Sequence, residues 1–167
     1  MGPAKYSLLN SAIQSLASSR PGAWFFAPSL HHLDAVYLRL SRGRTTLSGL
    51  LAGVPTVVMT TTGAKSGQPR TLPLLCVHDM QHPDVFALVA TNWGQRHYPA
   101  WYFNLKANPH ATCSINGRSA SYTAHEAIGE EYDRFWKQAT YIYPGYLRYK
   151  QRITARHIPI MVMEPVR

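Results

Sequence analysis

Several things are scarce in this 167-residue chain, and each scarcity excludes something. Cysteine occurs twice, at Cys76 and Cys113 in no motif spacing. No disulfide framework is expected, and a reducing, cytoplasmic setting is the default. Acidic residues number 8 against 17 lysines and arginines, for a formal net charge of +9. That balance excludes an acidic, solvating chain and directs attention to anionic partners. Charged residues make up only 15% of the chain and hydrophobic ones 46%, which excludes a disordered chain or a coiled coil. Long apolar runs are missing too. The start has no apolar signal core, and the longest uncharged run, 45–64, is broken by threonines, glycines and Pro55. It is not expected to span a bilayer. At this length a single domain can bury its own core.

The usual signatures of phosphate, nucleophile and metal chemistry are also absent. There is no Gly-x-Ser-x-Gly elbow and no Gly-x-Gly-x-x-Gly fingerprint. Thr60 to Ser66 resembles a P-loop only superficially, because Ala64 and Met59 stand where that motif needs glycine. Cys76, His78 and His82 offer three ligands in a hairpin with no fourth in register, so no metal is expected. The basic residues are spread along the chain, and nucleic-acid binding is not expected.

What is present divides by period. Leu8, Leu9, Ala12, Ile13 and Leu16 recur at helical spacing, as do Leu30, Leu33, Val36, Tyr37 and Leu40 behind the cap Ser29. A short helix follows Thr46. The spacing then predicts strands over Val54–Thr62, Thr71–His78 and Val85–Thr91, with Pro73 marking an edge or a bulge. A helix after Pro99 carries Trp101, Tyr102 and Leu105 and stops at Asn108-Pro109. Two strands around Asn116-Gly117 form a hairpin. A helix then opens with Glu130, Glu131 and Asp133 and carries Tyr132, Phe135, Trp136, Ala139 and Ile142, up to the Pro144-Gly145 break. A last strand runs from Ile158 to Met163. This order, mostly antiparallel strands with helices around them, predicts a small β-barrel rather than an alternating parallel sheet.

Three segments carry chemistry. The first runs from Thr60 to Thr71. Thr60, Thr61 and Thr62 deliver hydroxyls, Gly63 and Gly67 allow tight turning, and Lys65, Ser66 and Arg70 add cationic and hydroxyl donors. Together these are the parts of an anion-binding nest; an ordinary solvated turn is the plainer alternative. The second runs from Thr91 to Pro109. Thr91 and Asn92 can hydrogen-bond the edge of a heteroaromatic ring while Trp93 or Trp101 covers a face, and Trp101 also suits core packing. In the third, Tyr143, Tyr146 and Tyr149 recur across Pro144-Gly145, either as phenolic donors lining a pocket or as tyrosines closing the edge of the core.

The stretch TTTGAKSGQPRT, the run Trp101-Tyr-x-Asn-Leu-Lys-Ala-Asn-Pro109, and Tyr-Pro-Gly-Tyr before a terminal Ile-Pro-x-x-x-x-Glu-Pro resemble the deazaflavin-dependent nitroreductase family over about residues 54 to 167. The resemblance implies a split β-barrel, similar to the FMN-binding barrels, with residues 1–53 as a helical extension packed on it. It also implies hydride transfer from reduced coenzyme F420 to a quinone, enone or nitroaromatic. By it, Lys65, Ser66 and Arg70, with Gly67 and the Thr60–Thr62 strand end, hold the coenzyme's phosphate and acidic tail. Thr91, Asn92, Trp93, Ala100 and Trp101 surround the ring. Trp93, Tyr143, Tyr146 and Tyr149 shape the acceptor side, with Tyr143 and Tyr146 as candidate proton donors. Ala64, Asn92 and Trp93 depart from the residues common at those positions in the family, and a Trp at 93 narrows the pocket.

Two other readings fit the same residues. In one, the barrel binds FMN, whose shorter phosphate tail uses Lys65 and Arg70. In the other, a non-catalytic carrier holds a lipid or haem-like ligand among Trp93 and the tyrosines. The apolar patch Trp24–Phe26 suits contact with membrane lipid or a partner subunit, and a homodimer is expected by analogy with other split barrels.

Overall fold

A computed structural model describes residues 55–166, so the helices expected within residues 1–53 lie outside the described residues. Seven strands form one wholly antiparallel sheet in the order β2-β1-β5-β6-β7-β4-β3. They are β1 (Thr56–Thr62), β2 (Pro69–Leu75), β3 (Val77–His78), β4 (Phe86–Val89), β5 (His110–Ile115), β6 (Arg118–Glu126) and β7 (Ile160–Pro165). Helix α1 (Ala100–Ala107) lies between β4 and β5, and α2 (Gly129–Ile142) and α3 (Gly145–Arg152) lie between β6 and β7.

The expected strand 71–78 is in fact two. β2 pairs with β1 on one edge of the sheet, while β3 pairs with β4 on the other. Only Cys76 separates them, and one residue spans less than about 4 Å. The two edges are therefore drawn together, and the sheet curls into a half-barrel. Pro73 sits on the edge strand β2, where its missing N–H leaves no ladder bond unmade. The last strand begins two residues later than expected. Pro159 has no N–H to give, although its carbonyl accepts from Ala90 N–H at 2.9 Å.

The continuous apolar runs of β4 and β7 have a simple cause: both strands are covered on both faces. Phe86, Leu88, Met161 and Met163 point into one core cluster, with Val57, Met59, Trp101, Leu105 and Tyr122. Ala87, Val89, Ile160 and Val162 point into a second, with Phe135, Ala139, Ile153 and Ile158 of the α2–α3 layer. Side-chain alternation along each strand feeds both clusters. In α2 only Phe135 and Ala139 are fully buried, while Tyr132, Trp136 and Ile142 border them. The β5–β6 hairpin closes through Asn116 and Gly117 at φ of +52° and +81°, the pair of left-handed residues that a type I′ turn requires.

Candidate cofactor site

β1 enters β2 through the turn 63–68. Gly67 N–H donates to the Gly63 carbonyl at 2.8 Å, and Gly63 N–H donates to the Gln68 carbonyl at 2.9 Å. Gly67 takes φ of +65°, and a Cβ on Gly63 would fall 2.7 Å from Ser66 Oγ. Both positions thus favour glycine. Ser66 Oγ accepts from Gln68 N–H and from Arg70 Nη2, each at 3.3 Å. Thr60 and Thr71 face each other in register and share a hydroxyl hydrogen bond of 2.8 Å. Lys65 is exposed and unpaired among the described residues. No carboxylate occurs in the sequence from Pro55 to His78, nor from Val85 to His125. The two glycine amides are spent inside the turn, and the remaining donor set of hydroxyls and two cations is chemically suited to a phosphodiester.

The three threonines do not act alike, because a strand alternates its side chains. Thr62 is exposed at the strand end. Thr61 is buried on the opposite face, and its hydroxyl accepts from Asn104 Nδ2 at 3.0 Å. Asn104 Oδ1 in turn accepts from Ala64 N–H at 3.0 Å. One buried amide on α1 therefore fastens both the strand end and the nest turn.

The second segment leaves β4 at Thr91, which is buried, and turns through Asn92, Trp93 and Gly94 at φ of +48°, +58° and +79°. Three consecutive left-handed residues, two of them bearing side chains, are strained by about 1–2 kcal/mol for each non-glycine. Gly94 N–H donates to the Thr91 carbonyl and Gln95 N–H to the Asn92 carbonyl, both at 3.0 Å. Asn92 Nδ2 donates to the His97 carbonyl at 3.2 Å. Pro99 then caps α1. Ala100 is exposed at its start and Trp101 is packed into the first core cluster. Ala100 and Asn104 are one helical turn apart, about 6 Å along the axis. Helix α1 thus connects the two segments, with the strained turn at its start and the nest at its middle.

The tyrosines belong to the second cluster. Tyr143, Tyr146 and Tyr149 are all buried, with the Tyr143 and Tyr149 hydroxyls 3.3 Å apart and the Tyr143 and Tyr146 rings edge-to-face at 5.1 Å. A Cβ on Gly145 would overlap the Tyr143 ring, which explains the glycine between them. Burial raises the pKa of all three phenols, so each is a neutral donor at physiological pH. Trp93 packs against this cluster, and a Cβ on Gly94 would lie 3.0 Å from Tyr149. The strained turn therefore touches the tyrosine layer behind the sheet, while Trp101 faces the other core.

Two further features lie outside the three segments. Glu126 at the end of β6 accepts from Tyr102 and Lys106 and meets His157 Nε2, each at 3.1 Å. Burial alone would raise its pKa, but the bonds from His157, Lys106 and Tyr102 outweigh it and hold the carboxyl below its ordinary value. The other is Arg156, whose guanidinium lies under the 91–96 turn. Neither has a local signature, since apart from the neighbouring His157 carbonyl under Arg156 their partners lie 20 to 66 residues away.

The cysteines carry no chemistry here. Both are buried, and burial pushes each thiol up to about 12. Among the described residues, no group of three or more His, Cys, Asp or Glu is placed to hold a metal.

A curled, wholly antiparallel sheet bearing a cationic nest at one strand end defines the split-barrel class of cofactor-binding proteins. The family model described as F420H(2)-dependent quinone reductase matches residues 34–165, and the chain belongs to that family. An F420H(2)-dependent quinone reductase of Mycobacterium tuberculosis is 34% identical over 134 residues, which are 78% of this chain and 85% of that protein. A solved structure described as an F420-H2 dependent reductase is 40% identical, with a TM-score of 0.59, covering 66% of this chain and 94% of that one. A second, described as a domain-swapped dimer, is 34% identical with a TM-score of 0.61, covering 86% and 99%.

Proposed function

We propose that this chain takes a hydride from reduced coenzyme F420 and delivers it to a quinone. The single observation that carries the assignment to this chain is the nest itself. Lys65, Ser66 and Arg70 surround a turn that admits no carboxylate and is fastened by Asn104. That donor set suits the phosphodiester and acidic tail of F420, and membership of the F420H(2)-dependent family supports the same cofactor. Family membership lends no support to the FMN reading or to the carrier reading.

When bound, the deazaflavin supplies the hydride, so that the quinone gains two electrons and one proton and needs one further proton to become the hydroquinone. The protein's part is to bind, orient and exclude water. In this reading Thr60, Thr62, Lys65, Ser66, Gly67 and Arg70 hold the anionic portion, with Thr61 acting behind them through Asn104. Thr91, Asn92, Trp93, Ala100 and Trp101 border the ring. Trp93, Tyr143, Tyr146 and Tyr149 form the acceptor side, and a neutral phenol of Tyr143 or Tyr146 donates to the acceptor oxygen.

Three coarser assignments accompany this one. The apolar Trp24–Phe26 patch contacts lipid or a partner subunit. The chain acts in the cytoplasm; no helix among the described residues is long and apolar enough to cross a membrane. It pairs as a homodimer, a reading supported by the structural relative described as a domain-swapped dimer.

The test mixes purified full chain with reduced F420 and a water-soluble benzoquinone and follows recovery of the oxidised cofactor's absorbance. Turnover that needs both components is expected. Binding of FMN with no turnover of reduced F420 would overturn the assignment.

A further inference from the structure

Arg156 lies in the loop between α3 and β7, 60 to 66 residues in sequence from the turn that it reaches. A guanidinium has five N–H donors, and here all five are used on backbone carbonyls. Nε donates to Arg96 at 3.1 Å. Nη1 donates to Ala90 at 3.2 Å and to His157 at 3.0 Å. Nη2 donates to Thr91 and to Gln95, each at 3.1 Å. Four of these carbonyls come from the two arms of the turn that contains Asn92, Trp93 and Gly94. No carboxylate takes part. The Tyr98 ring, 4.5 Å from the guanidinium carbon, covers the cation's face, and Tyr98 is itself hydrogen-bonded to His157 at 3.2 Å.

The strain in this turn needs a compensating force, because Asn92 and Trp93 hold positive φ with side chains attached. The local bonds of the turn are few. A planar fork that grips both of its arms supplies the missing constraint, and no other side chain matches that fork geometry. Lysine has the charge but only three donors on one atom, without the spread to reach both arms.

We propose that Arg156 is a positioning residue: it locks the left-handed Asn92–Trp93–Gly94 turn in the shape that receives the F420 ring. The inference rests on the reading that this turn borders the ring. Its action is indirect, through carbonyls of Ala90, Thr91, Gln95 and Arg96. The ring-side groups Asn92 and Trp93 are thereby fixed before the cofactor arrives, which removes an ordering cost from binding.

The test uses the full chain with Arg156→Lys, Arg156→Gln and, separately, Lys65→Glu. Oxidised F420 is titrated by its fluorescence, each variant below its own unfolding temperature, and amide hydrogen exchange is followed along the chain. In both Arg156 variants the dissociation constant is expected to rise about tenfold or more. Exchange at 92–96 is expected to accelerate while β4 and β7 keep their protection. The milder lysine variant keeps the test open where the glutamine variant does not fold. KM for reduced F420 should rise more than kcat falls, a split that a purely structural role would not produce. Weakened binding in Lys65→Glu with affinity within twofold of the parent in Arg156→Lys overturns the clamp alone. Unaltered affinity in both overturns the cofactor placement together with the clamp.

Discussion

At the scale of single residues, Asn104 has the most concentrated role in the nest. Its amide satisfies the Ala64 N–H and the buried Thr61 hydroxyl at once. Asn104→Leu releases the Ala64 N–H to solvent and leaves the buried Thr61 hydroxyl without this partner, and a buried orphaned polar group costs about 1–3 kcal/mol. Chemical denaturation should register that loss, and F420 affinity should fall with it because the nest turn is no longer fastened. Stability lost with affinity retained would mean that the turn holds its shape unaided. On the acceptor side, Tyr146→Phe tests the phenolic donor. The expected result is kcat for quinone lowered by roughly 100-fold, at the lower end of the usual range for losing a general acid, at unaltered F420 affinity. An unchanged kcat would remove Tyr146 from the reaction.

The same scale shows what the sequence can and cannot convey. The nest was legible because glycines, hydroxyls and cations lie side by side in one segment. The division among its threonines was not, since only the partner across the fold reveals that Thr61 is turned toward Asn104. Asn104 itself lies within the run from Trp101 to Pro109, where nothing local marks its role. Arg156 offered no signal at all: a lone arginine after a helix resembles any solvated charge until the carbonyls above it are known.

At the scale of elements, most strands and helices follow from period and punctuation. The discrepancies have physical causes. A single run from Thr71 to His78 hides a transfer from one sheet edge to the other, because β-propensity is the same on either edge. The α2 layer is attached to the β3–β4 hairpin by a salt bridge between Arg134 Nη1 and Asp79 Oδ2 at 2.6 Å. Burial alone would raise the Asp79 carboxyl. The hydrogen bond and charge of Arg134, with backbone N–H donors, prevail and lower it from the ordinary 3.8. A carboxyl whose folded pKa is depressed contributes stability above its unfolded pKa and loses it as pH falls through the folded value. Arg134→Met removes the partner, so acid unfolding followed by circular dichroism should begin at higher pH than in the parent. The loss near neutral pH should be about 1–3 kcal/mol. An unchanged acid limb would mean that the pair contributes nothing to holding α2 on the sheet.

At the scale of the whole molecule, the net charge of +9 gives the nest a favourable background. Acids are excluded from the stretch 85–125 that holds the strained turn and α1, and from the nest. Attraction of a multiply negative ligand to exposed Lys65 and Arg70 is screened by salt. F420 affinity should therefore fall by roughly tenfold between low and high ionic strength, as exposed charge contacts do. A flat response would point to recognition through the ring alone. The curl of the sheet ties these pieces together. β2 and β3 sit on opposite edges yet are joined through Cys76, a closure that sequence periods cannot express because it depends on strand order.

The most direct measurement is a crystal structure of the chain with oxidised F420 bound. The expected result has the phosphodiester within hydrogen-bond reach of Lys65, Ser66 and Arg70 and the ring against the Asn92–Gly94 turn. A cofactor seated elsewhere, with those three side chains still facing solvent, would contradict the account.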